Sequence, residues 1–318
     1  MIPLRALRRA APSEVAILAA MLGLVIALLA VLTGGRLVAP GSLAAMAFQM
    51  PLLALLTLAQ VPPMITAGID LSIVSIANLS GIVAALLLVR WHVPYAAWVA
   101  VPAALATSAL AGAVNGLLIA ALDISPIIAT LATMILFQGV AFVLTRGTVL
   151  SGFPPQFLAL STGTIAGVPL PFVIFAACLA WVGVLLRRTA FGVTLYMLGS
   201  NPIATLFSGV DTRRALFRTY VLSGVLSGIA ALVMASRFNA AQADYGSSFL
   251  LLTVLICVLG GVDPAGGTGS VLEVLAAIVI LQIVATGFNF LGLSAYLANA
   301  LWGTILVLAI VLRRLLRA

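Results

Sequence analysis

The chain has 318 residues, 64% of them hydrophobic and 7% charged, with fifteen basic residues against seven acidic ones and a net charge of +8. An ordinary soluble domain carries about 25% charged residues, so a soluble fold of this size has too few charges to build its surface. All fifteen basic residues are Arg and they sit at the ends of apolar runs, not in a stripe interleaved with aromatics, which excludes a nucleic-acid-binding face and signals membrane topology.

A membrane helix needs roughly 20 consecutive apolar residues, and such runs recur from Val15 to Leu312. Ten spans are predicted: 14–33, 43–66, 71–89, 95–121, 126–145, 170–186, 216–236, 247–260, 271–290 and 293–312. The expected fold class is all-α, a polytopic transmembrane helical bundle that occupies residues 1–318 as one domain. Arg5, Arg8 and Arg9 precede the first run, which exceeds the 7–15 residues or so of a secretory h-region, and Leu32-Thr33-Gly34-Gly35 is a poor cleavage site. A retained first helix is expected.

An even number of spans puts both termini on one side. With both in the cytoplasm, Arg5, Arg8, Arg9, Arg187, Arg188, Arg213, Arg214, Arg218, Arg313, Arg314 and Arg317 fall inside and only Arg36, Arg90, Arg146 and Arg237 outside, the asymmetry that the positive-inside rule requires. His92, after Trp91 at the end of a span, reads as an interfacial anchor. Cys178 and Cys257, each within an apolar run, read as small buried hydrophobes, with no disulfide or metal-ligand spacing.

Between the second and third spans, Thr66-Ala67-Gly68-Ile69-Asp70-Leu71-Ser72 places a carboxylate beside a helix-breaking Gly. Asp70 is either an N-cap of the third helix or a salt-bridge or gate element facing a pathway. Gly and Pro at Pro51, Pro62, Pro63, Gly68, Pro102, Gly112, Gly116, Gly224 and Gly228 permit close helix approach or local breaks.

Two connections exceed turn length. Segment 146–169, with Gly147, Gly152, Pro154, Pro155 and Gly163, is expected as an external, periplasmic surface loop. Segment 187–215 is expected inside, as a cytoplasmic coupling loop. It holds Asn201-Pro202-Ile203-Ala204-Thr205-Leu206-Phe207-Ser208-Gly209, in which Asn201 can cap a helix, Pro202 suits its first position and Gly209 ends it. Ile203, Leu206 and Phe207 would line one face. That face goes either into a partner's cleft, with Arg213 and Arg214 at its rim, or into the membrane interface.

The run Gly260-Gly261-Val262-Asp263-Pro264-Ala265-Gly266-Gly267-Thr268-Gly269 has the glycines of a phosphate loop but not its Lys, and the chain contains no Lys anywhere. ATP hydrolysis through this run is excluded; it reads as a tight connection, with Asp263 capping the next helix. One His cannot supply a nucleophilic triad or a metal pair, no cofactor motif is present, and a paired-aspartate enzyme would have only Asp70 and Asp263 to draw on.

Seven strings, taken together and in order, carry a resemblance: Gly68-Ile69-Asp70-Leu71-Ser72, Asn115-Gly116, Ser125-Pro126-Ile127-Ile128-Ala129-Thr130-Leu131, Arg188-Thr189-Ala190-Phe191-Gly192, Gly199-Ser200-Asn201-Pro202, Leu222-Ser223-Gly224 and the Gly260 to Gly269 run. Over essentially its whole length the chain resembles the inner-membrane permease subunits of ABC importers for monosaccharides and related compounds, the ribose, xylose and autoinducer-2 group. Ala67 stands where that family usually has Gly, and Val74 where it has a later Gly. Ser236-Arg237-Phe238 and Ala243 to Leu251 look most like the second permease subunit of autoinducer-2 systems.

The resemblance implies a bacterial inner-membrane subunit with no enzymatic activity and no cofactor. It also implies ATPase domains on separate cytoplasmic polypeptides, a second permease, identical or not, and a periplasmic solute-binding protein. Asn201 to Gly209, with Arg213 and Arg214, would then couple to the ATPase, and Asp70, Ser72 and Asn115 would line a pathway or gate. Arg36, Arg90, Arg146 and Arg237 would dock the binding protein or remain solvated, headgroup-bound cations. Two alternatives stay open: a branched-chain amino-acid ABC permease, and an ion-coupled secondary transporter, for which only Asp70 and Glu273 qualify as coupling sites.

Overall fold

The computed structural model of the protein describes residues 14–90 and 95–317. Among these the chain forms thirteen α-helices: α1 (Glu14–Leu32), α2 (Pro40–Ile65), α3 (Ile73–Arg90), α4 (Ala96–Ala120), α5 (Pro126–Thr145), α6 (Pro155–Thr162), α7 (Leu170–Arg188), α8 (Ala190–Ser200), α9 (Pro202–Phe207), α10 (Thr212–Phe238), α11 (Phe249–Leu259), α12 (Val271–Phe290) and α13 (Ala295–Arg317). Each of the ten expected spans coincides with one of them. Six, namely α2, α4, α5, α7, α10 and α12, are long and apolar enough among the described residues to cross a membrane. The eighth expected span, α11, has 11 residues, roughly 16 Å at 1.5 Å per residue and half of a hydrocarbon core about 30 Å thick.

Proline placement explains several helix starts. Pro40, Pro126, Pro155 and Pro202 sit at the first helical position, where the missing N–H costs nothing. Side chains cap others: Thr189 accepts from the Gly192 amide (3.2 Å) at the start of α8, and Asp211 from the Arg214 amide (2.9 Å) at the start of α10.

The core is built around α2 and α10. Over their most apolar stretches 56% and 72% of residues are buried, against 28% for α5 and α7, so the first pair is enclosed by protein and the second is peripheral. Helix α10 packs on α4, α2 and α3. Its approach to α4 needs glycine: a Cβ at Gly112 would collide with the Tyr220 carbonyl, and one at Gly224 with the Ser108 carbonyl. Cys178 and Cys257 are both buried and free, as small apolar residues in the main core.

The connections gather at two ends of the bundle. At one end, β1 (Leu150–Ser151) pairs antiparallel with β4 (Ala240–Ala241), and β2 (Thr164–Ile165) with β3 (Val168–Pro169). There the Phe153 amide donates to Asn239 Oδ1 (2.8 Å), and Ser236 Oγ donates to the Phe157 carbonyl (2.9 Å). Segment 146–169 is thus more ordered than the surface loop its glycines and prolines indicated, since it carries α6 and three short strands. At the other end lie the break between α2 and α3, the α4–α5 turn, the α8–α9 region and the glycine-rich run before α12. Segment 187–215 is likewise mostly helical, and α8 was not foreseen. Asp263 does not cap the next helix: α12 starts at Val271, and Asp263 Oδ1 accepts instead from the Ala265 amide (3.0 Å) within the turn.

Candidate functional site

Helix α2 ends at Ile65 after Pro62 and Pro63, and α3 begins only at Ile73, so residues 66–72 cross the bundle end as irregular backbone. Unpaired backbone groups at membrane depth must be satisfied by protein. Here they are. The Gln60 amide, in the orientation that satisfies both its groups, donates to the Asp70 carbonyl (2.8 Å) and accepts from the Asp70 amide (3.1 Å). Thr130 Oγ1, from α5, accepts from the Leu71 amide (3.1 Å) and lies 3.1 Å from the Ile69 carbonyl.

The Asp70 side chain is fully buried. Its Oδ1 accepts from the Ser72 amide (2.9 Å) and hydroxyl (2.6 Å), and its Oδ2 from Ser223 Oγ of α10 (2.8 Å). Asn115 Nδ2 of α4 donates to Ser72 Oγ (2.7 Å), while Asn115 Oδ1 accepts from Thr133 Oγ1 of α5 (2.6 Å). A single line of donors therefore runs from Thr133 through Asn115 and Ser72 to the carboxylate, with Ser223 closing on it from the other side. The donors seen on the carboxylate are neutral, so it is held by hydrogen bonds and not by a salt bridge. The Ile76 amide donates to the Ser72 carbonyl (2.8 Å), which makes Ser72 the residue at the head of α3 and Asp70 the group that fixes it.

Asp70, Ser72 and Asn115, singled out separately in the sequence, thus meet in one buried cluster. Gln60, Thr130, Thr133 and Ser223 belong to it and were not foreseen. Their signal was available, because a polar side chain inside an apolar helix must find a partner. Tyr220 is also buried against this break. Its hydroxyl, which has no hydrogen-bond partner among the described residues, lies where a Cβ on Gly68 would be.

The break is joined to two other segments by backbone contact. The Gly267 amide donates to the Ile65 carbonyl (2.9 Å), and a Cβ at Gly199, near the end of α8, would collide with both of these groups. Gly266 and Gly267 have φ of +88° and +80°, a region that favours Gly. Ala67 itself sits at φ 62°, a left-handed conformation that a Gly would hold without strain. Tyr196 of α8 donates from its hydroxyl to the Gly269 carbonyl (2.9 Å), fastening the same two segments.

Directly after Gly199 comes α9. Asn201 Oδ1 accepts from the Ala204 amide (2.9 Å), Pro202 opens the helix, and Gly209 follows it at φ +78°. The exposures of Ile203 (70%), Leu206 (58%) and Phe207 (86%) show an apolar face that the described residues do not cover. Ala204 and Ser208 are likewise exposed, and Ser208 Oγ folds back on the Ala204 carbonyl (2.9 Å). Arg213 is exposed, and Arg214 Nε lies 3.5 Å from Asp211 Oδ2, a surface pair worth little.

At the strand-bearing end Arg36 and Arg146 are exposed, and Arg90 is the last residue of α3. Arg237 is different: its guanidinium donates to the Phe48 carbonyl of α2 and is half-buried. Arg5, Arg8, Arg9, Trp91 and His92 lie outside the described residues. Among the described residues no three His, Cys, Asp or Glu side chains are placed to hold a metal ion.

Residues 42–310 match the family described as branched-chain amino acid transport system / permease component. Over 253 residues the chain is 33% identical to the autoinducer 2 import system permease protein LsrD of Yersinia enterocolitica, covering 78% of this chain and 76% of that protein. It is 34% identical over 245 residues to the L-arabinose transport system permease protein AraH of Escherichia coli, covering 77% of this chain and 74% of that one. The corresponding LsrD of Photorhabdus temperata is 31% identical over 253 residues, covering 78% and 75%. No solved structure matches the chain.

Proposed function

Because the chain belongs to the branched-chain amino acid transport system / permease component family, we propose that it is the permease subunit of an ATP-driven importer and forms the translocation path for a sugar-like solute. It is a multi-pass protein of the bacterial inner membrane, as are permeases of this kind, and not itself an enzyme. The solute class follows the relatives, which are permeases for L-arabinose and autoinducer 2, and not the amino-acid wording of the family description.

In this reading the chain crosses the membrane about ten times with both termini in the cytoplasm. The break at Asp70, α8 and α9 lie on the cytoplasmic side, and segment 146–169 on the periplasmic side. A separate ATPase subunit takes the exposed face of α9, a second permease completes the pathway, and a periplasmic binding protein meets Arg36 and Arg146. Asp70, Ser72 and Asn115 hold the cytoplasmic gate in register.

The observation that carries the proposal is the pairing of an uncovered apolar helix with a fixed root. Helix α9 offers Ile203, Leu206 and Phe207 outward, and Gly199 seats the preceding turn on the backbone of the Asp70 break. A push on α9 therefore reaches the gate through packed backbone, and a coupling free energy requires such a contact that differs between states. The experiment is Phe207→Asp. The expected variant inserts normally but no longer co-purifies with its ATPase subunit, because a charge cannot enter an apolar cleft. Normal assembly and uptake would show that α9 lies on lipid and that energy enters elsewhere.

A further inference from the structure

At the strand-bearing end a cavity of about 400 Å³ opens between α2, α10, α11, α12 and α13. That volume falls in the usual range of small-molecule sites, roughly 300–1,000 Å³. Among the described residues its polar lining is the side-chain amides of Gln49, Gln282, Asn289 and Asn299, the Arg237 guanidinium and the Ser248 hydroxyl. The Phe288 and Trp302 rings, 5.2 Å apart and tilted by 42°, form one wall. Among the described residues no acidic side chain lines it.

We propose that this vestibule is a solute-holding site within a single permease subunit, which receives a neutral, polyhydroxylated molecule of monosaccharide size before it crosses to the other end of the bundle. The proposal rests on the sugar-import reading above. Gln49, Asn289 and Asn299 each offer two donors and an acceptor, and Gln282 keeps its carbonyl oxygen and one N–H after donating to Thr286 Oγ1 (3.3 Å), the complement of a ring of hydroxyls, while the aromatic wall suits the apolar face of such a ring. Among the described residues the side-chain amides of Gln49, Asn289 and Asn299 have no hydrogen-bond partner, which leaves them to bond a solute. Arg237 already donates to the Phe48 carbonyl, which fixes its position and leaves further N–H groups toward the cavity. An amino acid fits less well: Arg237 offers its carboxylate a partner, but its ammonium group finds no carboxylate among the described lining residues.

The test uses the complete transporter in proteoliposomes, with ATP on the ATPase side and saturating binding protein. Uptake of labelled L-arabinose, D-ribose, D-xylose, autoinducer 2 and L-leucine is compared for the unaltered chain, Asn299→Leu, Asn289→Leu and Gln282→Leu. The expected result is that the unaltered chain takes up at least one of the four polyhydroxylated solutes and not L-leucine. Each variant then lowers that uptake roughly tenfold, as losing one or two hydrogen bonds to a solute would, with ATPase assembly unchanged. Asn299→Gln, which keeps the amide, restores part of the uptake and alters the ranking among the solutes. Unaltered uptake and ranking in all three Leu variants would overturn the vestibule while leaving the import reading intact. Uptake of L-leucine alone by the unaltered chain would overturn the sugar reading itself, and this proposal with it.

Discussion

Asp70 shows how a costly group becomes a structural centre. Fully buried, its carboxylate accepts from Ser72 and Ser223, and Ser72 is in turn held by Asn115. Asp70→Ala leaves those donors without an acceptor and should cost about 2–3 kcal/mol. Asp70→Asn keeps one carbonyl oxygen for Ser72 and lets the Ser223 hydroxyl rotate to accept, so its cost should be nearer about 1 kcal/mol. Thermal unfolding in detergent should rank the unaltered chain above Asn and Asn above Ala; three equal midpoints would contradict the network. The sequence pointed to Asp70 because a carboxylate between two spans stands out, and to Ser72 and Asn115 through short strings. Thr130 and Ser223 stood in such strings without being read as site residues, and Gln60 and Thr133 were missed, because a single neutral polar residue in an apolar run looks like ordinary composition until its partners, 10 to 153 positions away, are known.

At the scale of elements, legibility followed the locality of the signal. Helix α9 was readable because its start and stop are written in adjacent residues, Asn201-Pro202 and Gly209. Helix α8 was not, because it follows an Arg pair with no proline and its apolar run is too short to read as a span. What places it is tertiary: Gly192 packs on the Leu185 and Leu186 carbonyls, and Gly199 on the Ile65 carbonyl. Asp263 misled for the opposite reason, since a plausible cap residue was followed by a glycine turn that delays α12 to Val271. The seat of α8 can be tested directly. In Gly199→Val the new side chain must force the α8 end away from Ile65 and Gly267, so ATPase binding at α9 should persist while solute uptake falls at least about fivefold, the lower range of a typical coupling energy. Undiminished uptake would show that the gate does not follow α8.

For the molecule as a whole, the all-α polytopic character followed directly from composition, and the helices fall where apolar runs were expected. Their depth in a membrane is less legible. The 11-residue α11 is buried from Thr253 to Val258 against its neighbours, Val254 partly so, and there needs no full-length apolar run of its own, while Leu251 in its first half is exposed. The two ends of the bundle are chemically distinct: one holds the carboxylate network, the glycine seat and α9, the other the short strands and the amide-lined vestibule. That polarity is what an importer needs, with solute received at one end and mechanical work delivered at the other. It also suits the ion-coupled alternative less, because Asp70 is locked by neutral donors within the protein and is not set in an open path. Driving force separates the two most directly. With permease, ATPase subunit and binding protein reconstituted together, uptake of labelled solute should require ATP on the ATPase side and survive ionophores that collapse proton and sodium gradients. Uptake by the permease alone, driven by an imposed proton or sodium gradient and indifferent to ATP, would contradict it.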